Sequence, residues 1–469
     1  MTAKTTPKIT LWEFFQQLGK TFMLPVALLS FCGIMLGIGS SLSSHDVITL
    51  LPALGNPVLQ AIFTWMSKVG SFAFSFLPVM FCIAIPLGLA RENKGVAAFA
   101  GFVGYAVMNL AVNFWLTAKG ILPTTDAAVL KANNIQNILG IQSIDTGILG
   151  ALAHWFARRH NTRVDTGSLV YGPSVIYMVS QLIRQWSSVG DGVVLHTPAY
   201  DAFYKAIEGN QRHVVPVALE QRNGHWHCDI EKLDAALARP ESKILLLCSP
   251  HNPTGKVWTR EELEAMAERC QRHGVRVISD EIHMDMVWGE QPHIPWSNVA
   301  RDNWALFTSG SKSFNIPALT GAYGMIEDAD SRDTYLNALK GRDGLSSPAV
   351  LALTAHIAAY EQGEPWLDAL RAYLRDNLHY IADTLNDAFP ELNWPVPQST
   401  YLAWIDLRAL NVDDNTLQNA LIQQEKIAIM PGFTYGDEGR GFVRLNAGCP
   451  RSKLEKGVNG LINAIRSVR

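Results

Sequence analysis

The sequence predicts an α/β domain with a mainly parallel central sheet, closed by a small α+β unit and preceded by an all-α membrane segment of about three helices. Three observations lead there. Uncharged runs long enough to cross a bilayer crowd the first 120 residues. Beyond residue 164, short aliphatic strands alternate with helical patterns. The charge also changes sign along the chain. Residues 1–150 carry eight Lys/Arg against five Asp/Glu, a net of +3, and the remainder carries 31 against 37, a net of −6.

The uncharged runs are 22–42, 69–90 and 95–118. Their glycines, Gly33, Gly37 and Gly39 in the first and Gly101 and Gly104 in the third, suit close packing between membrane helices. The run 47–67 is broken by Pro52 and Gly55-Asn56-Pro57 and reads as interfacial or re-entrant. Recurring apolar runs without a small-residue cleavage site argue against a signal peptide. Lys4, Lys8 and Lys20 put the start of the chain in the cytoplasm, and Arg91 and Lys94 mark the next cytoplasmic loop. Three spans would then leave residue 119 on the far side.

At 153–160 the pattern changes to a soluble helix, with no Pro-, Gly- or Ser-rich linker. Strands are expected at 193–196, 214–218, 244–248, 275–279 and 305–308, and helices at 174–186, 261–273 and 348–360. The unit 371–469 should hold strands at 401–407, 427–430 and 442–446 and a closing helix at 453–467. The expected division is 1–151, 152–370 and 371–469. Neither half has the basic face that nucleic-acid binding needs. Cys32, Cys82, Cys228, Cys248, Cys270 and Cys449 show no CxxC or metal-ligand spacing, so reduced thiols and no metal are expected.

The chemistry is concentrated in three segments: Ser249-Pro250-His251-Asn252-Pro253-Thr254-Gly255, Ser279-Asp280-Glu281-Ile282-His283, and Ser309-Gly310-Ser311-Lys312. Taken singly each is ordinary: a turn, a strand end that could cap a helix, and a loop lysine that could be surface decoration. Asp280 follows Asn252 by 28 residues and Lys312 follows Asp280 by 32, and that order makes the set specific. It fits the needs of pyridoxal phosphate: an amine for the aldehyde, an anion at the pyridinium nitrogen, a ring stack and phosphate donors. Lys312 is the candidate amine and catalytic residue, Asp280 the anion, Asn252 a donor to the phenolic oxygen and Tyr200 the stack. Ser309 and Ser311, with Ser174, Val175 and Ile176 opening a helix after an apolar strand, form the phosphate cradle. Arg444 is the candidate clamp for a substrate carboxylate; the alternative is a surface ion pair.

These residues resemble the aminotransferase class I/II superfamily, whose domain is of fold-type I. More narrowly they resemble its bacterial C–S lyases, of the cystathionine β-lyase and maltose-regulon modulator type. The likeness runs from about 153 to 469, and His283, where many aminotransferases carry Tyr, points to the lyase group. Residues 1–151, including 11–20 and 90–94, resemble the start of a phosphotransferase EIIC permease of the glucose/maltose type, so the chain looks like a fusion of two truncated parts. The resemblance implies a pyridoxal-phosphate homodimer that cleaves a sulfur amino acid by β-elimination, cystathionine giving homocysteine, pyruvate and ammonia. It also implies a regulatory contact with the maltose-regulon activator, a cytoplasmic enzyme part and an inner-membrane N-terminal segment. Members of the family begin earlier than this likeness does. The sequence therefore predicts weakened cofactor holding and dimerisation, with an inactive deletion fusion as the alternative.

Overall fold

The computed structural model describes residues 31–75, 77–90, 93–126, 129–130, 135–138, 140–144, 148–222, 224–345 and 348–469. The chain divides into two compact units, Met1–Asp145 and Thr146–Arg469.

In the first unit, the described part of the 22–42 run is a helix over Phe31–Leu42; residues 22–30 lie outside the described residues, as do 11–20 and the basic positions Lys4, Lys8, Lys20 and Arg91. The break at Pro52 and Gly55 is a single turn of 3-10 helix, Pro52–Gly55. The sequence placed a span over 69–90. The structure divides that stretch between helices Pro57–Ser75 and Leu77–Leu89, with Pro78 in the first turn of the second, where a missing amide costs least. Lys94–Ala118 is, among the described residues, the one helix long and apolar enough to cross a membrane. It packs on Leu77–Leu89 through Gly101, where an added Cβ would lie 2.0 Å from the Cys82 carbonyl oxygen. A short hairpin, Ile135–Ile138 with Ile141–Ile144, runs beside it and is tied on by Asn113 Nδ2 donating to the Gln142 carbonyl at 2.8 Å.

The second unit is built on a seven-stranded sheet. Its strands are β1 Leu169–Gly172, β2 Gly192–Thr197, β3 His213–Ala218, β4 Ser242–Cys248, β5 Arg276–Asp280, β6 Trp304–Thr308 and β7 Ala322–Ile326, in spatial order β1-β7-β6-β5-β4-β2-β3. Only β7 runs against the others. The unbroken aliphatic run of β4 reflects burial of both faces. Alternate residues feed two cores: Val194, Leu245 and Leu306 on one side, Val193, Ile244 and Phe307 on the other. Helices α1 Ile148–His160 and α4 Arg260–His273 cover the first core, and α2 Val175–Trp186 and α3 Asp201–Gly209 the second. Helix α4 opens on a capping box, Thr259 with Glu262, worth about 1 kcal/mol.

Helix α5, Gly310–Ser313, and helix α6, Val350–Gln362, precede a 25-residue helix α7, Glu364–Ala388. The expected cut at 370 falls inside α7. Its first half, with Leu367 and Leu374, belongs to the large core, and its second, from Leu378, to the core of the small unit. That core lies against a three-stranded antiparallel sheet, β8 Leu402–Asp406, β9 Met430–Pro431 and β10 Phe442–Asn446, in order β8-β10-β9. Its closing helix α8 spans Arg451–Val468. The strand expected at 427–430 is reduced to β9, which pairs with β10 only through Met430 and Pro431.

Candidate functional site

Parallel strands put their loops at one end of the sheet, and ligands bind there. The register aligns Asp280, the last residue of β5, with Cys248 of β4 and Phe307 of β6. The Asn252 turn, the Asp280–His283 segment and the Ser309–Lys312 segment therefore open side by side. β2 adds Thr197 to the same end, and Tyr200 follows it at the start of α3.

Asp280 is 4% exposed. Its Oδ1 accepts the Ile282 amide at 3.1 Å, the one hydrogen bond its carboxyl makes among the described residues. Burial pushes its carboxyl up from 3.8 to about 7, against the opposing pull of that amide and of the Lys312 charge. Lys312 is half-buried on α5 and faces a cleft of about 270 Å³ shared with Tyr401, Met286 and Trp366. His283 is buried, with its ring edge-on to Tyr401 at 5.7 Å. Burial, reinforced by Lys312 and Arg444, pushes its imidazole down to about 3, so it stays neutral.

Arg444, on β10, reaches back from the small unit and donates to Asn252 Oδ1 at 3.1 Å, with its guanidinium 4.7 Å from the Tyr435 ring centre. The Asn252 turn is closed by Gly255 at φ 70°, where an added Cβ would also lie 2.9 Å from the Ser399 carbonyl oxygen. Tyr200 is half-buried against Phe203, ring centres 5.6 Å apart, and its phenol is raised by burial and by the charges of Asp201 and Asp280.

Ser309 caps α5: its Oγ accepts the Ser311 amide at 3.1 Å and donates to the Gly321 carbonyl at 2.6 Å. Ser174 caps α2 by accepting the Tyr177 amide at 3.2 Å, which leaves the Val175 and Ile176 amides as first-turn donors. Gly172 pairs with Ala322, and Thr308 with Tyr323, so the starts of α2 and α5 lie at neighbouring positions of one sheet end.

The structure brings Asp280, Lys312, His283, Arg444, Asn252 and Tyr200 into one set coupled by charge or hydrogen bonds. The sequence reading missed Tyr401, Tyr435 and the apolar wall of Met286 and Trp366. Tyr401 stands immediately before β8, the only local signal it carried. Four buried polar atoms here have no partner among the described residues: His283 Nδ1, His196 Nδ1, Thr197 Oγ1 and the Tyr435 hydroxyl.

Residues 105–461 match the family described as aminotransferase class I and II, and residues 19–156 match the phosphotransferase system EIIC family. The chain is 78% identical over 321 residues to Protein MalY of Escherichia coli K12, covering 68% of this chain and 82% of that protein. It is 80% identical over 190 residues to the maltose-specific EIICB component of the same organism, covering 39% of this chain but only 36% of that relative. Cystathionine beta-lyase PatB of Bacillus subtilis is 33% identical over 346 residues, 73% of this chain and 89% of PatB. Among solved structures, the PLP-bound C-S lyase of Staphylococcus hominis superposes with a TM-score of 0.65 at 27% identity, covering 76% of this chain and 87% of that one.

Proposed function

The chain belongs to the aminotransferase class I and II family, and on that basis we propose that residues 152–469 form a pyridoxal-phosphate-dependent carbon–sulfur β-lyase acting on a thioether amino acid such as cystathionine. The observation that carries this reading is Asp280. A carboxyl buried at a strand end, with a single hydrogen bond and its pKa raised to about 7, calls for a cation. A protonated pyridine nitrogen is that cation, and the unpartnered His283 Nδ1 and Thr197 Oγ1 nearby are free for the same guest. The residues present fit the cofactor.

Lys312 would hold the aldehyde carbon covalently, Asp280 the ring nitrogen, Tyr200 the ring face and Asn252 and His283 the ring oxygen edge. Ser311 and the first-turn amides of Val175 and Ile176, behind Ser174, would hold the phosphate, while Ser309, whose hydroxyl proton goes to the Gly321 carbonyl, keeps the start of α5 in place. When bound, the cofactor supplies an electron sink that acidifies the Cα–H of an attached amino acid. Arg444 holds the substrate carboxylate and so sets which face of Cα meets Lys312. Once the substrate's own amine has displaced it from the aldehyde carbon, the freed Lys312 amine would take the Cα proton and could return it to the leaving sulfur. The Cβ–S bond then breaks and the sulfur leaves as a thiol. Water completes the balance: cystathionine and water give homocysteine, pyruvate and ammonia.

The segment 1–151 is proposed as an inner-membrane part with spans near 22–42, 69–90 and 95–118, and the remainder as a large and a small part that share α7, the change falling between Leu374 and Leu378. The enzyme part is assigned to a homodimer and to the cytoplasm, as its family is, which requires that one of these three segments enters the membrane without crossing it. A second reading, contact with a transcriptional activator of the maltose regulon, is favoured by the 78% identity to MalY. The test is the visible spectrum of the detergent-purified full chain with added pyridoxal phosphate, then borohydride reduction and peptide mapping. A pyridoxyl adduct on Lys312, absent in Lys312→Ala, is expected together with thiol release. No adduct would sink the lyase reading and leave the regulatory one, which Lys312→Ala would not disturb.

A further inference from the structure

Helix α5 is four residues long, so it cannot hold Lys312 in place by itself. Its start is held by Ser309. Its end is held by a second device that the cofactor reading does not use. Asp285, five residues beyond Asp280 and 5% exposed, accepts three hydrogen bonds: from Ser313 Oγ at 2.7 Å, Trp155 Nε1 at 3.0 Å and His160 Nε2 at 3.0 Å. Trp155 and His160 both lie on α1, and the Trp155 ring also packs edge-on against Phe314, the residue after Ser313, at 5.5 Å. The two residues that follow Lys312 are thus gripped by one buried carboxylate and one indole. Burial opposes the Asp285 charge, but the hydrogen bonds from His160, Ser313 and Trp155 outweigh it and hold its carboxyl below the usual range.

We propose that Asp285 is a positioning residue for Lys312, fixing the end of α5 through Ser313 while α1 holds the carboxylate. The inference rests on the reading of Lys312 as the cofactor-binding lysine. It gives α1 a task besides covering the core. Both family matches include residues 148–156, so the segment where they overlap carries the indole that anchors the lysine turn.

The test compares the full chain in detergent with Ser313→Ala, Ser313→Thr and Asp285→Asn. Two quantities are read: hydrogen exchange of the 310–316 amides without cofactor, and the rate at which added pyridoxal phosphate forms a borohydride-trapped adduct on Lys312. Ser313→Ala should speed exchange at those amides about tenfold, the effect of losing one hydrogen bond to a buried charge, and slow adduct formation by a similar factor. Ser313→Thr, which keeps the hydroxyl, should restore both, and exchange in β10 should not change. Asp285→Asn should exceed Ser313→Ala in both; if it unfolds the unit, the Ser313 pair decides. Adduct on wild-type Lys312 with Ser313→Ala unchanged in both readouts would overturn this proposal alone. No adduct on wild type would remove the reading on which it rests, and this proposal with it.

Discussion

Replacing Asp280 by Asn should stabilise the cofactor-free chain at neutral and alkaline pH while weakening its hold on pyridoxal phosphate. The carboxyl titrates at about 7 in the fold against an ordinary 3.8, chiefly because burial strips it of water. As pH rises from 4 to 7 the unfolded chain gives up this proton and the folded chain keeps it. The native state therefore loses about 1.4 kcal/mol per pH unit, to a total on the order of 4 kcal/mol, and the loss is flat above 7. Asn has the shape of the protonated acid, and its oxygen can still accept the Ile282 amide, so the variant escapes that loss. His196, His251 and His283, all pushed down to about 3 by burial, add an opposite slope, because each costs the native state stability as pH falls below 6.5. They do so equally in both proteins and cancel in the difference. The assay is urea denaturation of the full chain in detergent between pH 4.5 and 8.5, followed by fluorescence of the buried tryptophans at 155, 258, 296 and 404. The variant's advantage should grow up to pH 7 and then level. Pyridoxal phosphate should narrow that advantage, since a hundredfold excess over Kd adds about 2.7 kcal/mol to the protein that binds it. A difference flat in pH, or a variant less stable at pH 8, would refute the assignment of a buried, counter-ion-seeking carboxyl.

Arg444→Lys should raise KM for the thioether substrate about tenfold with little change in kcat, since lysine cannot match a carboxylate bidentately; steady-state thiol release checks it. Ser174→Ala removes the cap of α2 and should cost about 1 kcal/mol in the same urea titration. Gly101→Leu cannot fit 2.0 Å from the Cys82 carbonyl, so maleimide labelling of Cys82 in detergent should rise several-fold.

Much of the fold was legible because its signals are local. Aliphatic runs marked β4 and β6, and helical patterning marked α4, each within one to two residues. β7 was not: Ala-Tyr-Gly-Met-Ile lacks the β-branched density of its neighbours, and only pairing with β1 and β6 makes it a strand. Asn252, Asp280 and Lys312 were legible as a spacing, and the fold places them at adjacent strand ends. Asp285 was not. One of its partners is 28 residues away and the others are 125 and 130, so no window of sequence contains the contact. Tyr435 was hidden for the same reason, since its role beside Arg444 exists only once β10 is paired.

The two family matches overlap across 105–156, and α1 lies where they give way to the enzyme pattern alone. A helix is the kind of element that survives such a change of sequence. What the second unit requires of α1 is a small set of inward side chains: Leu152, Trp155 and Phe156 in the core and His160 at the end. Outward positions carry ion pairs at the surface, such as Arg158 to Glu364, that contribute little. Any upstream sequence that continues the helix and delivers an aliphatic residue at 152 meets that demand, as Ile148-Leu149-Gly150-Ala151-Leu152 does. The requirement becomes strict only from Trp155 onward, where the indole must reach Asp285. Tolerance before 155 and intolerance after it follow from one helix having two faces with unequal duties.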